Sequence, residues 1–380
     1  MIEGIFWASA LLVAYHYVLY PLGVIALARS RPEPRPGDPA QWPSVTFVIA
    51  AYNEERVIDW KIRNTLELDY PRERFEVIVA SDGSNDRTGE IASSYAARGV
   101  VSLHQPERRG KTAALNRAVA AAKGEIVVFS DANNEFSTDA IRVLVRHFAD
   151  PEVGGVCGAK RIKPAEERES SMGDSLYWRY ESAVKVAESR IHTISNADGE
   201  IFAIRRSLYR HVPEHIINDD AEITLNLVDQ GKRILYEPQA RSFEYASLHI
   251  RDDFFVKVRM VAGGYQTLAE HARELLPWRS WFTWSFFSHK TLRWLAPVFL
   301  ILALVSSAAL AARPFYGFML AAQGTFYAVA ALGALLIGRM RLPPPIYVPY
   351  YFTVMNTAAF MGLVRFLRRT QTVHWRRAQR

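Results

Sequence analysis

Short β-rich runs alternate with helical segments between residues 45 and 130, and this alternation limits the fold more than any other feature of the sequence. Strands that are separated by helices of roughly ten residues usually pair in parallel, and the helices then cover both faces of the sheet. We therefore expect an α/β fold with a mostly parallel sheet. The predicted elements are strand 45–50, helix 58–68, strand 75–80, helix 88–97, strand 100–104, helix 111–123 and strand 125–130.

Polar residues follow these four strands, at or shortly after the point where each strand ends. In a parallel α/β sheet, ligands bind beyond the carboxyl ends of the strands, so these residues are the first candidates for a site. The polar clusters cover residues 51–55, 81–86, 109–111 and 130–135.

The residue types in these clusters suit a nucleoside diphosphate. Asp82 can accept hydrogen bonds from a base or a ribose, and Gly83 lets the backbone approach a ligand closely. Lys111, at the start of a helix, adds positive charge where a phosphate is already favoured. Asp131 and Asn133 offer the hard oxygen ligands that Mg²⁺ or Mn²⁺ prefers, and such an ion would bridge a diphosphate and stabilise it as a leaving group.

Each cluster also has a simpler structural interpretation. The sequence Asp-Gly-Ser-Asn at residues 82–85 is typical of a turn. Asn53 and Asp131 could each cap a following helix. We prefer a ligand site because four such strand ends belong to one predicted sheet.

The first apolar segment, residues 5–28, contains no Asp, Glu, Lys or Arg. Its length is sufficient to cross a hydrocarbon core of about 30 Å. A cleaved signal peptide is the alternative, but its N-terminal region should be basic, and here it is Met-Ile-Glu-Gly. Because Arg29 and Arg31 follow at once, we expect a retained anchor with the N-terminus outside and the following residues inside, at the cytoplasmic face of the cell membrane.

The C-terminal part is apolar again. Residues 278–294 mix aromatic and basic side chains, which is typical of an amphipathic segment at a membrane interface. Three apolar stretches follow, and together with the anchor they would place the basic tail, residues 368–380, outside. The tendency of basic residues to stay inside predicts the opposite side. The three stretches are residues 295–312, 315–338 and 346–367. Either one of them is interfacial or re-entrant and does not cross the membrane, or the tail departs from this tendency.

The composition excludes several classes of protein. The chain of 380 residues is 49% hydrophobic, which is not the composition of a disordered protein. Its one cysteine, Cys157, rules out an intrachain disulfide and is better explained as a small packed residue than as a catalytic thiol. The net charge is +7, but many basic residues flank apolar segments. This predicts contact with membrane lipids and no binding of nucleic acid.

Several runs of sequence resemble glycosyltransferases of family 2. FVIAAYNEE, VIVASDGSNDRT, RGKTAALNRA and VVFSDANNE are similar to the donor half of that family, and IINDDAEITLNLVDQGKRILYEPQA is similar to its acceptor half. The resemblance covers about residues 44–268. It implies a GT-A fold, which is a Rossmann-like α/β domain. The flanking apolar segments resemble the membrane-bound branch that includes cellulose and hyaluronan synthases.

The resemblance implies a donor site. Glu54 and Asp82 would contact the nucleoside. Asp131 and Asn133 take the place of the family's Asp-x-Asp, which holds a metal ion and the diphosphate. Asn133 is a neutral ligand, which predicts weaker metal binding or Asp131 as the sole carboxylate ligand. The predicted donor-binding residues are Tyr52, Asn53, Glu54, Asp82, Gly83, Lys111, Asp131 and Arg259.

It also implies an acceptor site. Asp220 matches the general base that deprotonates the acceptor hydroxyl, and Asp219 is its close competitor. Both could instead cap the helix that begins near Ala221. Asp198 or Glu200 would contact the acceptor, or would belong to a plain turn before a strand.

Processive synthases of this family carry a Gln-x-x-Arg-Trp motif near the membrane. The matching residues here, 256–260, keep Arg259 but lack the Gln and the Trp. The missing Trp removes an aromatic platform for the acceptor, so we expect transfer of one or a few sugars. Arg259 could face the diphosphate or could be a surface residue beside the bilayer.

The sequence therefore predicts an inverting glycosyltransferase that uses a nucleotide-sugar donor, expected to be a UDP-sugar, with Mg²⁺ or Mn²⁺. The acceptor would be a lipid-linked saccharide or a polysaccharide. Two alternatives stay open: a polyprenyl-phosphate glycosyltransferase, whose nucleophile needs no base, and a non-catalytic partner subunit of a polysaccharide export complex. The predicted organisation is an anchor (1–30), a Pro-rich linker (31–43), a GT-A domain (44–268), an interfacial segment (269–294), transmembrane helices (295–367) and a basic tail (368–380).

Overall fold

The computed structural model describes residues 1–33, 36–163, 171–245, 250–340 and 342–373. The strands are β1 (Val45–Ala51), β2 (Phe75–Asp82), β3 (Val100–Gln105), β4 (Ile126–Asp131), β5 (Glu135–Phe136), β6 (Val153–Lys163), β7 (Phe202–Arg205) and β8 (Arg233–Tyr245). Within the described residues they form one eight-stranded sheet in the order β3-β2-β1-β4-β7-β6-β8-β5.

Helices precede, separate and follow the strands. They are α1 (Ile2–Ala14), α2 (Tyr20–Ala28), α3 (Ile58–Leu66), α4 (Thr88–Ser94), α5 (Lys111–Ala121), α6 (Ala140–Val145), α7 (Ser171–Ile191), α8 (Asp219–Asp229), α9 (Ile250–Glu270), α10 (Trp281–Phe286), α11 (Leu292–Ala309), α12 (Pro314–Leu336) and α13 (Pro344–Leu367). Two π-helical turns, Tyr15–Leu19 and Phe287–Thr291, join α1 to α2 and α10 to α11. Each pair is therefore continuous, as Ile2–Ala28 and Trp281–Ala309.

The strands β1 to β4 form the parallel half of the sheet that the alternation predicts. β1 lies between β2 and β4 and is buried along its whole length, as expected for a strand covered on both faces. Phe47 and Val79 belong to the core on one face, and Val48 and Phe129 belong to the core on the other. The predicted fold class, α/β with a mostly parallel sheet, is confirmed.

The other half of the sheet is mixed. β7 lies antiparallel between β4 and β6, whereas β6 and β8 pair in parallel along a long ladder. β6 and β8 consequently run in the same direction as β4, and their carboxyl ends reach the same edge of the sheet. In the register of the sheet Ala50 pairs with Asp131, and Ile162 pairs with Glu244. This edge therefore collects polar residues from four strands.

Among the described residues, three helices are long and apolar enough to cross a membrane. They are Ile2–Ala28, Trp281–Ala309 and Pro314–Leu336. α13 is equally long but is not one of them, although the sequence predicts an apolar stretch there. Tyr350 of α13 packs on α12, Phe352 contacts Phe326 of α12, and Phe366 stacks on Tyr265 of α9. α13 thus connects the membrane helices to the α/β domain.

A buried ionic cluster attaches the membrane helices to α7. The Tyr20 hydroxyl donates to Glu188 Oε1 at 2.6 Å, and His289 Nδ1 lies 2.8 Å from the same oxygen. Burial alone would raise the pKa of Glu181, but the charges of nearby basic residues outweigh it and hold that pKa well below its ordinary value. We call this group the docking cluster; it consists of Glu181, Glu188, His289, Lys290 and Arg293.

Glu181→Gln should lower the free energy of unfolding by about 3–5 kcal/mol, because it removes the buried carboxylate that pairs with Lys290 and Arg293. Thermal unfolding in detergent micelles, followed by tryptophan fluorescence, would measure the effect. The matched control is Glu214→Gln, which removes the partner of the more exposed Arg109 and should cost about 0–1 kcal/mol. Equal shifts in the two variants would contradict a stabilising role for the docking cluster.

Candidate active site

One cavity of about 1330 Å³ lies at the edge where β1, β4, β6 and β8 end. Most of the site residues predicted from the sequence line it, and Asp82 and Gly83 are the two that do not. The predicted residues that line the cavity are Tyr52, Asn53, Glu54, Lys111, Asp131, Asn133, Asp198, Glu200, Asp219, Asp220 and Arg259.

The loops that follow β1 and β2 are tied to each other through Asn53. Its backbone N–H donates to Ser84 Oγ at 3.1 Å, and its side-chain oxygen accepts from the Asn85 N–H at 2.9 Å. Asn53 has a φ of +53°, which Asn tolerates better than most residues. The neighbouring Tyr52 ring stacks under the guanidinium of Arg108 at 3.7 Å. Tyr52 and Asn53 therefore stabilise the contact between these loops, and both side chains also line the cavity.

Asp82 is fully buried and supports the loop before α5. Its carboxylate accepts hydrogen bonds from the backbone N–H groups of Arg109 and Gly110, at 3.1 and 2.7 Å. Gly83 has a φ of +68°, and a Cβ there would lie 2.7 Å from the backbone of Arg108. The nucleoside contact of Asp82 stays a prediction, whereas its structural contact with the loop is observed.

Lys111 is the first residue of α5, and its ammonium joins two carboxylates across the cavity. Nζ lies 2.7 Å from Asp131 Oδ1 and 4.0 Å from Asp219 Oδ2. Burial alone would lower the pKa of Lys111, but the charges of Asp131 and Asp219 outweigh it and raise that pKa above its ordinary value. Lys111 is therefore a permanent cation at a helix N-terminus, where phosphate oxygens are favoured.

Asp219 and Asp220 are the first two residues of α8. The N-cap position is Asn218, so neither aspartate occupies it. Asp220 accepts from the backbone N–H groups of Gly199 at 3.3 Å and of Ala221 at 2.8 Å. Burial and the adjacent charge of Asp219 raise the pKa of Asp220 to about 6, in spite of the attraction of nearby basic groups. A carboxylate with this pKa can accept a proton near neutral pH.

Lysines neutralise the two residues predicted to contact the acceptor. Lys185 Nζ lies 2.7 Å from Asp198 Oδ2, and Lys160 Nζ lies 2.6 Å from Glu200 Oε2. Lys160 also binds Glu244. Because these carboxylates are held in ion pairs, the geometry favours a positioning role for them over proton transfer.

Three charged residues of the site were not predicted from the sequence, namely Lys160, Lys185 and Glu244. Lys160 and Glu244 lie near the ends of β6 and β8, in the part of the sheet that the alternating pattern does not reach. Lys185 is fully buried on α7. Lys160 and Glu244 could have been found from the sequence, because each is a charged residue near the end of an otherwise buried strand. Lys185 lies in a helix, and no comparable sequence feature identifies it.

Arg259 lies on α9 and lines the cavity. Its Nη1 is 3.4 Å from the carbonyl oxygen of Ile217, in the segment that leads into α8. Arg259 is therefore close to the segment that leads to Asp219 and Asp220.

The implied divalent cation can be tested against the residues present. Asp131 and Asn133 both reach the cavity, and Asn133 Nδ2 donates to Glu244 Oε1 at 2.8 Å, which leaves its carbonyl oxygen available as a ligand. Among the described residues, no three His, Cys, Asp or Glu side chains form a metal cage. Mg²⁺ and Mn²⁺ need no such cage when substrate phosphates complete the shell. The Asp131 carboxylate and the Asn133 amide oxygen therefore fit a Mg²⁺ or Mn²⁺ ion whose remaining ligands come from substrate phosphates.

Comparisons with known proteins agree with this geometry. The model of the family "Glycosyl transferase family 2" matches residues 46–212. A poly-beta-1,6-N-acetyl-D-glucosamine synthase from Staphylococcus aureus strain COL is 28% identical over 232 residues, which are 59% of this chain and 55% of that protein. A probable glycosyltransferase, YdaM, from Bacillus subtilis strain 168 is 28% identical over 219 residues, 53% of this chain and 50% of that protein. The matches thus span about half the length of these relatives.

A solved structure extends the similarity to nearly the whole chain. It is a mannosyltransferase from Pyrobaculum calidifontis in complex with GDP-mannose and Mn²⁺, with a TM-score of 0.76 and 25% sequence identity. The match covers 97% of this chain and 100% of that one. The sheet and this neighbour establish the GT-A fold that the resemblance implies.

Gly83→Ala should lower stability by about 1–3 kcal/mol, because alanine would be strained at this φ and its Cβ would collide with Arg108. The control is Gly99→Ala, which has a φ of +82° and open space around the new Cβ. Thermal unfolding of both variants separates the collision from the backbone strain. A shift for Gly83→Ala no larger than that of the control would contradict the close approach of the two loops.

Proposed function

We propose that this enzyme moves a sugar from a nucleotide-diphosphate donor to an acceptor hydroxyl and inverts the anomeric carbon. The proposal starts from the match of residues 46–212 to glycosyltransferase family 2. The observation that carries the proposal is the convergence of Asp220, Asp219, Lys111 and Asp131 in one cavity. The homology to a polysaccharide synthase supports a saccharide acceptor.

Asp220 is the group that would take the proton of the acceptor hydroxyl. Its pKa of about 6 leaves it ionised at neutral pH and makes it a stronger base than an ordinary aspartate. As the acceptor oxygen bonds to C1 of the sugar, the bond from C1 to the diphosphate breaks, and its electron pair leaves with the nucleoside diphosphate. A single displacement of this kind inverts C1 and forms no covalent glycosyl-enzyme.

The donor diphosphate would bind at the N-terminus of α5. Lys111 supplies a fixed positive charge there, and the first N–H groups of the helix point toward the same place. Asp131 and the Asn133 side-chain oxygen would hold Mg²⁺ or Mn²⁺, which supplies Lewis-acid stabilisation of the leaving diphosphate. The mannosyltransferase solved with GDP-mannose and Mn²⁺ supports both parts of this assignment. UDP-sugars, which the sequence predicts, and GDP-sugars are therefore the first donors to test.

The α/β domain would lie at the cytoplasmic face of the cell membrane. With three spanning helices and α13 at the interface, the chain that follows α13 would be on the same side of the membrane as this domain. Both the basic tail and the Arg residues after α2 are then inside, as the positive-inside tendency requires. This arrangement removes the conflict that four spans create.

Asp220→Asn should reduce the rate of transfer by about 10²–10⁴-fold, because an amide cannot take the hydroxyl proton. Nucleotide release would measure the rate, and calorimetric titration with the nucleotide should show unchanged donor affinity. Asp219→Asn is the matched control, with a smaller loss expected. Activity close to that of the unaltered enzyme in Asp220→Asn would favour the polyprenyl-phosphate alternative, whose nucleophile needs no base.

The same assignment predicts the pH dependence of transfer. The raised pKa of Asp220 means that its reactive, ionised form is lost as the pH falls through about 6. The ratio kcat/KM should therefore fall on the acid side of that value. Asp220→Asn should lack this limb in its residual activity, and a limb that persists would assign the titration to another group.

Chelation should abolish transfer. Nucleotide release by the purified full chain, tested across UDP-, GDP- and dTDP-sugars with Mn²⁺ and with EDTA, would identify the donor and the metal dependence together. Asp131→Ala should remove the release, whereas Asp229→Ala, on an exposed pair with Arg210, should not. Release that continues undiminished in EDTA would contradict the metal assignment.

A further inference from the structure

Lys61 is a lysine that the proposed chemistry does not use, and its side chain is fully buried. It lies on the face of α3 that packs against the sheet, beside the fully buried Ile58 and Ile62. Among the residues that the structure describes, no carboxylate forms an ion pair with Lys61, although Asp131 is close enough to attract its charge. Burial of an ammonium without an ion pair is costly, so other contacts must compensate for it.

The Nζ atom of Lys61 donates two hydrogen bonds to one residue, Asn134. It lies 2.9 Å from the Asn134 carbonyl oxygen and 2.7 Å from Oδ1 of the same residue. The ring centroids of Phe47 and Phe136 are 5.2 and 4.5 Å from Nζ, and aromatic faces attract a cation. Burial lowers the pKa of Lys61 to about 7, but the nitrogen carries enough N–H groups for both hydrogen bonds in either protonation state. Two acceptors of Asn134 therefore depend on this nitrogen.

Asn134 is also fully buried, and three further hydrogen bonds hold its side chain. Its Oδ1 accepts from Ser130 Oγ of β4 at 2.9 Å. Its Nδ2 donates to Ser242 Oγ of β8 and to the carbonyl oxygen of Glu200, both at 2.9 Å. Asn134 thus joins the end of β4 to β8 and to the loop before β7, and Lys61 fixes it from the side of α3.

The turn that contains Asn134 also carries the proposed ligands of the divalent cation. Only Ala132 and Asn133 separate Asn134 from Asp131, so the backbone of this turn has little freedom once Asn134 is fixed. The Asn133 side chain is directed separately, by its hydrogen bond to Glu244 at 2.8 Å. Metal ligands need positions accurate to about 0.2 Å. Contacts that orient ligands therefore contribute to metal affinity without touching the ion.

We propose that Lys61 is a positioning residue of the donor site. Through Asn134 it holds the turn 131–135 in the shape in which Asp131 and Asn133 bind one Mg²⁺ or Mn²⁺ ion together. A methionine would fill a similar volume without the cost of burying an ammonium, but it would leave the Asn134 carbonyl oxygen without this donor. The lysine is therefore explained by its effect on the turn and not by the packing of α3. The inference rests on the proposed function and concerns the same metal site.

Electron paramagnetic resonance of Mn²⁺ measures this binding without turnover. The full chain in detergent micelles is titrated with Mn²⁺ in the presence of UDP and, separately, of GDP. Lys61→Met should weaken Mn²⁺ binding by about 10–100-fold, which is the usual effect of losing a contact that orients a metal ligand. Unchanged Mn²⁺ affinity in folded Lys61→Met would overturn the proposal.

The matched control is Ile62→Ala, at the next position of the same helix. Ile62 is buried in the same core, so its truncation should lower the midpoint of thermal unfolding. It donates no hydrogen bond to Asn134 through its side chain, and its Mn²⁺ affinity should be unchanged. Equal weakening of Mn²⁺ binding in Ile62→Ala and Lys61→Met would mean that α3 acts through general stability, and would overturn the positioning role.

A double-mutant cycle with Asn134→Ala tests the route of the effect. If Lys61 acts through Asn134, Lys61→Met should weaken Mn²⁺ binding much less in the Asn134→Ala background than in the unaltered chain. Full additivity of the two changes would overturn this route. Ser242→Ala, which removes one acceptor of Asn134 Nδ2, is a milder variant that provides a test even if Lys61→Met does not fold. It should weaken Mn²⁺ binding by about threefold or more, and no change in either Ser242→Ala or Asn134→Ala would overturn the proposal.

Nucleotide release gives a second readout, with the donor that the panel identifies. In Lys61→Met the Mn²⁺ concentration for half-maximal release should rise by about 10–100-fold, and release at saturating Mn²⁺ should be retained. Loss of release at saturating Mn²⁺ with an unchanged half-maximal concentration would overturn the positioning role. If the unaltered chain bound no Mn²⁺ with either nucleotide, the metal assignment of the proposed function would fail, and this inference with it. Equal Mn²⁺ binding by the unaltered chain and all variants would refute this inference alone.

Discussion

The ammonium of Lys111 holds the two halves of the cleft together. It lies 2.7 Å from Asp131 at the end of β4 and 4.0 Å from Asp219 at the start of α8. The three side chains are partly exposed, so removing one of them leaves the other charges only partly compensated by solvent. Lys111 therefore adds an electrostatic link between the end of β4 and the start of α8 to the pairing of the sheet itself. An anionic ligand that binds beside Lys111 must compete with Asp131 and Asp219 for its positive charge.

The docking cluster gives the membrane helices a fixed relation to this cleft. Glu188 binds Tyr20 and His289, and it also accepts from the backbone N–H of Ser195 at 2.9 Å. Ser195 lies three positions before Asp198, in the loop that leads to Gly199 and its hydrogen bond with Asp220. The loop that orients the candidate base is thus anchored to the same buried carboxylate as the first membrane helix.

The sequence was most informative where structure is local. The parallel strands β1 to β4 follow from apolar runs and turn residues, and the cleft follows because parallel strands end at one edge. β6 and β8 were not predicted, and β7 was foreseen only as a strand after the turn that holds Asp198 and Glu200. The three strands pair residues far apart in the chain, and one of them reverses direction. Lys160 joins Glu200 to Glu244 across 40 and more positions, a contact that depends wholly on this pairing. The buried contact of Asp82 with the backbone before α5 likewise depends on how two loops meet, which no local pattern encodes.

The cavity that extends from Lys111 and Asp131 to Tyr17 and Phe352 has a kinetic consequence under the proposed function. The nucleotide-sugar donor would arrive by diffusion in water, whereas a lipid-linked acceptor would arrive by lateral diffusion within the bilayer. The quantity that governs the second encounter is the number of acceptor molecules per unit area of membrane, and the bulk concentration does not determine it. Diluting the membrane with inert lipid would therefore slow turnover even when every concentration in the aqueous phase is held constant.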